Sequence, residues 1–339
     1  MLRVLPVNKT GGAESMARAE TLHFLNTGIQ DVIYLYSPQK SKGLSLLHGI
    51  LKLLKALRND NYTLIVSSLW PVVPVIFLCR VILWPRHFQW IHFVHSETFF
   101  SKFDFLFNYL AIRFANGVLC DSSASAALVR GYRQSMPLEI VRPVMKIGNY
   151  PLAQKNISNS FNFITWGRIK YGKNIDYGIR LVSELVARGG DASLIVVGPD
   201  EDKLMPWLNQ VSIDHNVSDR IKFFGQMSHD EIYKAATNCN YFIVTSTHEG
   251  LCIALTEAMQ LGLLPVVTLV GGIREYCIDG KNCIEVNLLN VPLTAERLIR
   301  LSAHDRNIIV ASAINTFDDS HDYVRNYFNV LKKMSKKSL

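Results

Sequence analysis

The chain has 339 residues, of which 49% are hydrophobic and 19% charged, so it encodes a folded protein with room for two domains. This composition excludes a disordered chain. The formal net charge is +8, and residues 1–150 contain 16 Lys or Arg against 8 Asp or Glu, whereas residues 151–339 contain 20 of each. The surplus in the first half predicts an anionic partner there, either nucleic acid or a membrane surface.

Three features bear on the compartment of the protein. The six cysteines form no CxxC pair and lie mostly in apolar runs, which favours a reducing compartment. The opening residues MLRVLPVN lack the apolar core of a secretory peptide and predict a strand instead. Residues 62–79 carry no charge over the length of a spanning helix, but their prolines favour a strand, a turn and a short helix. We therefore expect a cytoplasmic protein.

Short β-branched runs alternate with helical patterns along the chain. The predicted strands of the first half are RVLPV, VIYLY, YTLIVSS, FQWIHFVH and GVLCDS. Those of the second half are FNFIT (161–165), SLIVVG (193–198), RIKFFG (220–225), YFIVTS (241–246), LPVVTL (264–269) and CIEV (283–286). Segments such as IDYGIRLVSELVARGG and HDEIYKAATNC have helical spacing between the strands. The pattern predicts an α/β protein with two doubly wound, Rossmann-like domains.

The predicted domain boundary lies where periodicity lapses and Gly, Pro, Asn and Ser gather, in residues 141–160. We expect a first domain over residues 1–150 and a second over residues 151–317. Ligands of open parallel sheets bind beyond the carboxyl ends of the strands. The two sheets are therefore expected to face each other across a cleft that holds the ligand.

The segment STHEGLCIALTEAMQLG carries two carboxylates in an apolar context. Glu249 precedes Gly250 and falls in a predicted strand-to-helix loop, and Glu257 falls in the second turn of the helix that follows. Eight steps along a helix separate the two residues by roughly 12 Å, too far for a glycosidase pair but suitable for the two ends of a long ligand. The helix N-terminus between them suits a phosphate. From spacing alone, the simpler interpretation remains that both glutamates are solvated side chains of an amphipathic helix.

The segment TWGRIKYGKN follows a predicted strand and opens a helix. Its Arg168 offers a two-pronged donor to phosphate oxygens, and its Lys173 offers a point charge. Together they could stabilise a departing diphosphate without a metal. A basic loop alone is usually solvated, but this one lies at the first strand of the sheet that carries Glu249.

The chain resembles the retaining family 4 glycosyltransferases of the GT-B fold over nearly all of residues 1–330. The resemblance rests on several motifs in order: GlyGlyAlaGlu at 11–14, His95 at the end of WIHFVH, Arg168 with Lys173, Glu249 with Glu257, GlyLeuLeuProVal at 262–266 and GlyGlyIleArgGlu at 271–275. It implies transfer of a sugar from a nucleotide donor with retained anomeric configuration. It also implies that the C-terminal helix, residues 318–339, crosses back to the first domain.

The resemblance assigns roles to individual residues. Glu249 would bind sugar hydroxyls and Glu257 the ribose, while His95 would lie near the transferred sugar. The backbone of Gly11 and Gly12 would approach the diphosphate from the first domain. Three further donor-binding amides would contact the sugar or phosphate, those of Gly250, Leu251 and Cys252.

The chain departs from the family pattern at three positions. Leu251 and Cys252 replace a common Phe-Gly pair, so that a Cβ is added beside the donor, and Cys283 replaces another glycine. These changes bear on donor identity more than on reaction class.

Other motifs favour structural roles. Asp200, Glu201 and Asp202 begin a predicted helix, where carboxylates are favoured by the dipole, so we predict a cap rather than a metal site. The chain contains neither GxGxxG nor a P-loop signature, which weighs against dinucleotide and NTPase functions. We predict no metal and no cofactor, with a nucleotide sugar as the donor substrate.

Two stretches bear on membrane contact. In LSLLHGILKLLKALR we predict one apolar helical face, formed by Leu47, Ile50, Leu54 and Leu57, with His48, Lys52 and Lys55 on another. In TFFSKFDFLFNYLAIRF the predicted apolar stripe is formed by Phe99, Phe103, Phe107, Leu110 and Phe114. Most such helices pack on their own sheet, but the basic surplus favours an anionic membrane surface over nucleic acid, for which no recognition motif is present.

The sequence therefore predicts a hexosyltransferase, peripheral on the inner face of the cytoplasmic membrane. Its acceptor is expected to be lipid-linked or an oligosaccharide, in the synthesis of O-antigen, capsule or lipopolysaccharide. Two alternatives stay open: a transferase for a soluble acceptor, and a non-catalytic binding protein with the same fold.

Overall fold

The computed structural model describes residues 1–7, 16, 20, 31–36, 42–59, 63–85, 87–99, 101–147, 160–317 and 322–336. Twelve strands lie in this part of the chain: β1 Leu2–Val7, β2 Asp31–Tyr36, β3 Leu64–Ser68, β4 Gln89–Val94, β5 Gly117–Cys120, β6 Leu138–Ile140, β7 Ser160–Trp166, β8 Asp191–Val197, β9 Ile221–Phe223, β10 Tyr241–Val244, β11 Leu264–Val267 and β12 Ile284–Glu285. The α-helices are α1 Lys42–Asn59, α2 Val73–Ile82, α3 Lys102–Phe114, α4 Ser123–Tyr132, α5 Ile175–Ala187, α6 Met205–Asp214, α7 His229–Ala236, α8 Ile253–Gln260, α9 Val291–Arg300, α10 Ala303–Ile314 and α11 Tyr323–Lys336.

The chain divides into two compact units. Unit 1 contains the described residues of Met1–Pro143 and Asp322–Leu339, and unit 2 contains those of Val144–His321. The first division falls at Pro143, whereas residue 150 was the predicted boundary. Each unit holds one six-stranded parallel sheet, so the prediction of two doubly wound α/β domains is confirmed.

The sheet of unit 1 has the order β2-β1-β3-β4-β5-β6. Its strands are buried on both faces, which explains why they are continuous apolar runs rather than alternating ones. From β2 onward every connection moves in the same direction across the sheet. Because such crossovers are right-handed, helices α1 to α4 lie side by side on one face.

The sheet of unit 2 has the order β12-β11-β10-β7-β8-β9. Strands β7, β8 and β9 extend to one side of the starting point, and β10, β11 and β12 extend to the other. The direction of winding therefore reverses between β7 and β10. At such a switch point the loops beyond the carboxyl ends of two adjacent strands diverge and leave a crevice for a ligand.

Most of the predicted elements are confirmed, and unit 1 shows two differences. Strand β6 was not predicted, because its three half-buried residues Leu138–Ile140 give too short a pattern to recognise. The predicted apolar face of α1 is wrong at Leu47, which is exposed beside Lys52, whereas Leu53 and Leu57 form the buried face. The described part of this stretch, residues 63–79, forms a strand, a 3-10 turn and the start of a helix, as predicted.

The C-terminal helix α11 packs on unit 1. The hydroxyl of Tyr323 donates a hydrogen bond to buried Glu20, which also pairs with buried Arg3 at 3.3 Å. Near the other end of the helix, Lys333 Nζ lies 2.8 Å from Glu139 Oε1. Within the described ranges, no helix combines the length and the apolar character that crossing a bilayer requires.

Candidate functional site

The loops after β7 and β10 of unit 2 meet at the switch point of its sheet. The short 3-10 turn at Tyr171–Lys173 is tied to the loop after β10 by backbone contacts: Thr247 N donates to Gly172 O at 2.9 Å. The Thr245 hydroxyl donates to the carbonyls of Lys173 and Asn174, both at 2.8 Å. These bonds fix the position of Lys173 against the segment that carries Glu249.

Lys173 and Glu249 form an ion pair at this point. Lys173 Nζ lies 2.6 Å from Glu249 Oε1, and the Ser246 hydroxyl donates to the same oxygen at 2.6 Å. Burial by itself lowers the pKa of Lys173, but the charge and hydrogen bond of Glu249 outweigh it, so the pKa is raised. Lys173 is therefore a cation at neutral pH, and two of the predicted site residues are in contact.

Arg168 lies in the same loop but faces a different carboxylate. Its Nη1 is 3.5 Å from Glu201 Oε2, and Lys170 Nζ is 2.9 Å from the same atom. All three side chains are more than a third exposed, so this cluster adds little to stability. Arg168 thus remains accessible to an anion that could take the place of Glu201.

Two glycines allow the loops after β7 and β8 to run together. Gly167 and Gly198 have φ angles of 138° and 144°, which side-chain-bearing residues rarely adopt. A Cβ on Gly198 would lie 1.8 Å from Gly167 O. This close approach explains why Arg168 stands next to the acidic segment that follows β8.

That acidic segment has structural partners within the chain. Helix α6 begins at Met205, so the prediction that it begins at residues 200–202 is wrong. Asp200 nevertheless accepts hydrogen bonds from Leu204 N at 2.8 Å and Met205 N at 2.9 Å, and it thereby satisfies free amides before and at the start of α6. Asp202 accepts from Tyr171 N at 3.1 Å. Among the residues that the structure describes, no cluster of His, Cys, Asp and Glu has the arrangement of a metal site.

The segment from Glu249 to Ile253 forms the predicted loop and helix start. Helix α8 begins at Ile253, and Cys252 before it adopts the left-handed conformation, with φ 60° and ψ 72°. The glycyl residue that stands at this position in the family the chain resembles would adopt this conformation at no steric cost, whereas a residue with a Cβ is strained there. Position 252 thus keeps the left-handed backbone conformation that glycine favours, although a cysteine stands there.

Two contacts from a later segment hold this loop in place. The Tyr276 hydroxyl donates to Leu251 O at 2.5 Å, and Gly272 N donates to Gly250 O at 3.0 Å. Tyr276 was not predicted as a functional residue, because a tyrosine beside an apolar run is usually a core residue. It lies directly after the GlyGlyIleArgGlu motif, which supplies the only sequence signal for its position.

Glu257 is in the second turn of α8, as predicted, but its side chain is buried. Its Oε2 accepts a hydrogen bond from Trp166 Nε1 at 2.9 Å, and Tyr233 also hydrogen-bonds to the carboxyl group. Burial raises the pKa of Glu257, and these hydrogen bonds partly offset the effect. Trp166 and Tyr233, which sequence reasoning did not identify, thus fix the orientation of a carboxyl group predicted to meet a ribose.

His95 follows the last residue of β4 in unit 1. Its Nε2 lies 2.9 Å from Ser68 Oγ, and its ring stacks on Phe93 at 4.3 Å between centroids. Burial lowers the pKa of His95 well below its ordinary value, with Arg3 contributing in the same direction. The ring is therefore neutral at pH 7. The predicted Gly11 and Gly12 lie outside the described residues.

His92 is buried inside unit 1. Its Nδ1 is 2.8 Å from Ser67 Oγ and its Nε2 is 2.9 Å from Asn108 Oδ1. Burial lowers the pKa of His92 to about 4, although the contact with Asn108 opposes the shift. This histidine is a neutral core residue.

Comparison with solved structures identifies the architecture. Anabaena HepE, solved with UDP and glucose, superimposes with a TM-score of 0.78 at 18% identity, covering 99% of both chains. The apo form of the lipopolysaccharide outer core galactosyltransferase WaaB gives a TM-score of 0.72 at 16% identity, covering 98% of both chains. The fold is GT-B.

Sequence comparison covers a smaller part of this GT-B chain. Residues 152–308, just under half of it, match the family described as Glycosyl transferases group 1. One component of the human phosphatidylinositol N-acetylglucosaminyltransferase is 29% identical over 117 residues, 34% of this chain and 24% of that protein. The GDP-mannose:cellobiosyl-diphosphopolyprenol alpha-mannosyltransferase of Komagataeibacter xylinus is 25% identical over 177 residues, 50% of this chain and 45% of that protein. The chain thus spans less than half the length of these relatives.

Proposed function

We propose that the protein is a glycosyltransferase that moves a hexose-type sugar from a nucleoside diphosphate sugar to an acceptor hydroxyl. The observation that carries this proposal is the Lys173–Glu249 pair, 2.6 Å apart at the switch point of the unit 2 sheet. Both residues lie within the segment that matches Glycosyl transferases group 1. A nucleotide sugar carries an anionic diphosphate, which a lysine can bind, and sugar hydroxyls, which a carboxylate can bind.

The charge that develops on the leaving diphosphate is stabilised by Arg168, Lys173 and the N-terminus of α8. Arginine can donate two parallel N–H hydrogen bonds to phosphate oxygens, and the helix start adds free N–H groups and the positive end of its dipole. Because these groups supply positive charge where the bond to the sugar breaks, we propose a reaction that needs no metal. Transfer should then continue in the presence of EDTA.

We further propose that the anomeric configuration is retained. The acceptor oxygen would bond to the anomeric carbon on the face that the diphosphate leaves, and the acceptor's proton would pass to an oxygen of the departing phosphate. No protein base is then required. His95 is kept neutral at pH 7 by burial, so its proposed role near the sugar is that of a hydrogen-bonding group.

The acceptor is proposed to be lipid-linked, in the synthesis of a cell-surface polysaccharide. Support comes from two relatives whose names specify lipid acceptors, a phosphatidylinositol in one and a diphosphopolyprenol in the other. The lipopolysaccharide galactosyltransferase among the structural neighbours supports the same class of pathway. A soluble acceptor remains the alternative outcome of the assay below.

The test is a transfer assay with UDP-glucose, UDP-N-acetylglucosamine and GDP-mannose, using a short-chain polyprenyl diphosphate sugar or free disaccharide as acceptor. Release of nucleoside diphosphate reports turnover, and the one-bond carbon–proton coupling constant of the new anomeric centre reports configuration. Glu249→Ala should abolish transfer, whereas Glu201→Ala, which removes the carboxylate that a diphosphate would displace from Arg168, should leave most of it. Wild-type transfer by Glu249→Ala would contradict the site assignment, and product formed only on the free disaccharide would contradict the lipid acceptor.

A further inference from the structure

Helices α1 to α4 form one layer on unit 1, and the outer side of that layer is unusually apolar. Among the described residues, 21 large hydrophobic side chains are exposed, and 12 of them lie between Leu47 and Tyr132. Soluble monomers rarely expose contiguous apolar patches of more than a few hundred Å². A concentration of this kind on one helical layer therefore indicates a surface that meets a partner.

Helix α3 shows how the exposure arises. Its buried face consists of Asn108, Ala111 and Ile112, which are small or medium in size. Most of its large side chains face outward instead, and Phe103 is 64% exposed. Of the predicted stripe, Phe103 and Phe114 are thus exposed, whereas Phe107 is half-buried and packs against the core of unit 1.

The exposed rings of this layer form clusters rather than isolated contacts. Phe103 stacks on Trp70 at 6.2 Å between centroids, and Phe105 stacks on Tyr109 at 6.1 Å. The ring of Tyr132 lies against Tyr109 at 5.8 Å, which joins α3 to the end of α4. Aromatic side chains packed in this way are held in fixed positions, so they lose little conformational freedom when they meet a partner.

The C-terminal end of α2 continues the apolar surface. Val81 is 74% exposed and Trp84, two residues beyond the helix, is 77% exposed. The Arg80 guanidinium donates to Phe114 O at 3.0 Å and to Asn116 Oδ1 at 2.9 Å, which ties this end of α2 to the end of α3. The exposed apolar residues of α2 therefore adjoin those of α3 at Phe114, which is itself 51% exposed.

The charge of the layer is almost entirely positive. Helices α1 to α4 contain eight Lys or Arg, four in α1, one in α2, two in α3 and one in α4, against a single acidic residue, Asp104. Lys52 and Lys55 are exposed on the same side of α1 as Leu51. The surplus of the sequence's first half thus lies largely in these four helices.

We propose that the outer face of α1 to α4, with the turn that carries Trp84, docks on an anionic lipid bilayer. Tryptophan and tyrosine favour the boundary between headgroups and acyl chains, and phenylalanine and leucine favour the acyl chains beneath. Lysine and arginine on the same face are attracted to anionic headgroups while their aliphatic stems cover apolar surface. Exposed rings and a positive charge on one broad layer match this partner in both respects.

The proposal is independent of the reaction, so its test uses no substrate. The purified full chain is sedimented with vesicles of phosphatidylcholine alone, or of phosphatidylcholine and phosphatidylserine in a roughly three-to-one ratio. We expect the protein to follow the anionic vesicles and to be released as salt is raised, because the headgroup attraction is screened. On these vesicles the tryptophan emission should shift to shorter wavelength.

Two matched variants locate the contact. Trp84→Ser with Phe103→Ser removes two exposed rings from the layer and should weaken partition onto anionic vesicles on the order of tenfold. Trp207→Ser with Ile213→Ser removes two exposed apolar residues from α6 of unit 2 and should leave partition unchanged. All four side chains are largely exposed, so both variants should unfold at the wild-type temperature.

Three results would overturn the proposal. Equal loss in both double variants would mean that the layer has no special role. Partition onto neutral and anionic vesicles to the same extent would show that binding does not depend on the positive charge of the layer. Formation of dimers that Trp84→Ser with Phe103→Ser dissociates, without any binding to vesicles, would assign the surface to a second copy of the chain.

Discussion

Helices α1 to α4 of unit 1 contain eight basic residues and one acidic residue, whereas helices α5 to α10 of unit 2 contain five basic and eight acidic ones. Both sets cover a six-stranded parallel sheet. In unit 2 the charges that could act on a ligand lie instead beyond the strand ends, as the Lys173–Glu249 pair illustrates. On the two proposals above, unit 1 presents the helical layer of its sheet to a partner, and unit 2 presents the loops at the strand ends of its sheet.

The largest effect should come from unit 2. Lys173→Ala removes the cation beside Glu249, so the leaving diphosphate loses direct charge stabilisation, and turnover should fall roughly 10²- to 10³-fold. The matched control is Lys170→Ala, because Lys170 lies in the same loop but pairs with Glu201 at 2.9 Å. Steady-state transfer assays on both variants check the prediction, and similar losses in both would deny Lys173 a distinct role.

Low pH should destabilise unit 1 through its buried residue His92. The pKa of His92 is about 4 in the folded protein, below its ordinary value of 6.5, so the unfolded chain binds more protons between these values. The stability that neutral His92 contributes is fully present above pH 6.5 and is lost as pH falls towards 4, by about 3 kcal/mol in total. Urea unfolding at several pH values measures this loss.

A pair of variants isolates the contribution of this histidine. His92→Gln should flatten the dependence of unfolding free energy on pH below 6.5, whereas His248→Gln, at an exposed position of unit 2, should not. An unchanged slope in His92→Gln would assign the acid sensitivity to other groups.

A smaller effect is expected at the loop of unit 2. Tyr276→Phe deletes the hydroxyl that donates to Leu251 O at 2.5 Å and should cost about 1–2 kcal/mol of stability, with weaker donor binding. Tyr241→Phe is the matched control, because its buried hydroxyl has no hydrogen-bond partner among the described residues, and its loss should be neutral or stabilising. Denaturant unfolding and nucleotide titration compare the two. Equal destabilisation would show that the Tyr276 hydroxyl has no special function.

The smallest predicted change is a gain. Cys252→Gly relieves a left-handed residue at φ 60° and should raise the free energy of unfolding by roughly 0.5–1 kcal/mol. Cys283→Gly, at the other position where the family has glycine, deletes a fully buried thiol and should destabilise the protein. Thermal unfolding of the two variants should therefore move in opposite directions, and a loss in both would contradict the conformational explanation.

The sequence predicted most of the fold because strands buried on both faces are continuous apolar runs. The strand-to-helix loop with Glu249 and the helix with Glu257 were also placed correctly, since Gly250 and the change of periodicity mark the boundary. Strand β6 was missed, because Leu138–Ile140 is too short for its pattern to be recognised.

Tertiary contacts were harder to anticipate. Trp166 and Tyr276 look like core residues in sequence, and only the structure reveals that their polar ends hold Glu257 and Leu251. Likewise, helical spacing groups the aromatic residues of α3 into a stripe but does not tell which face meets the sheet. The small residues Asn108 and Ala111 take that face, and all the rings except that of Phe107 are largely directed outward.

A calorimetric titration of UDP and GDP into the full chain, without added metal, tests the central claim that unit 2 holds a nucleotide at the switch point of its sheet. We predict saturable binding of one of them, weakened at least tenfold in Arg168→Ala and nearly unchanged in Lys170→Ala. Binding that Arg168→Ala leaves intact, or no heat from either nucleotide at millimolar concentration, would contradict the account.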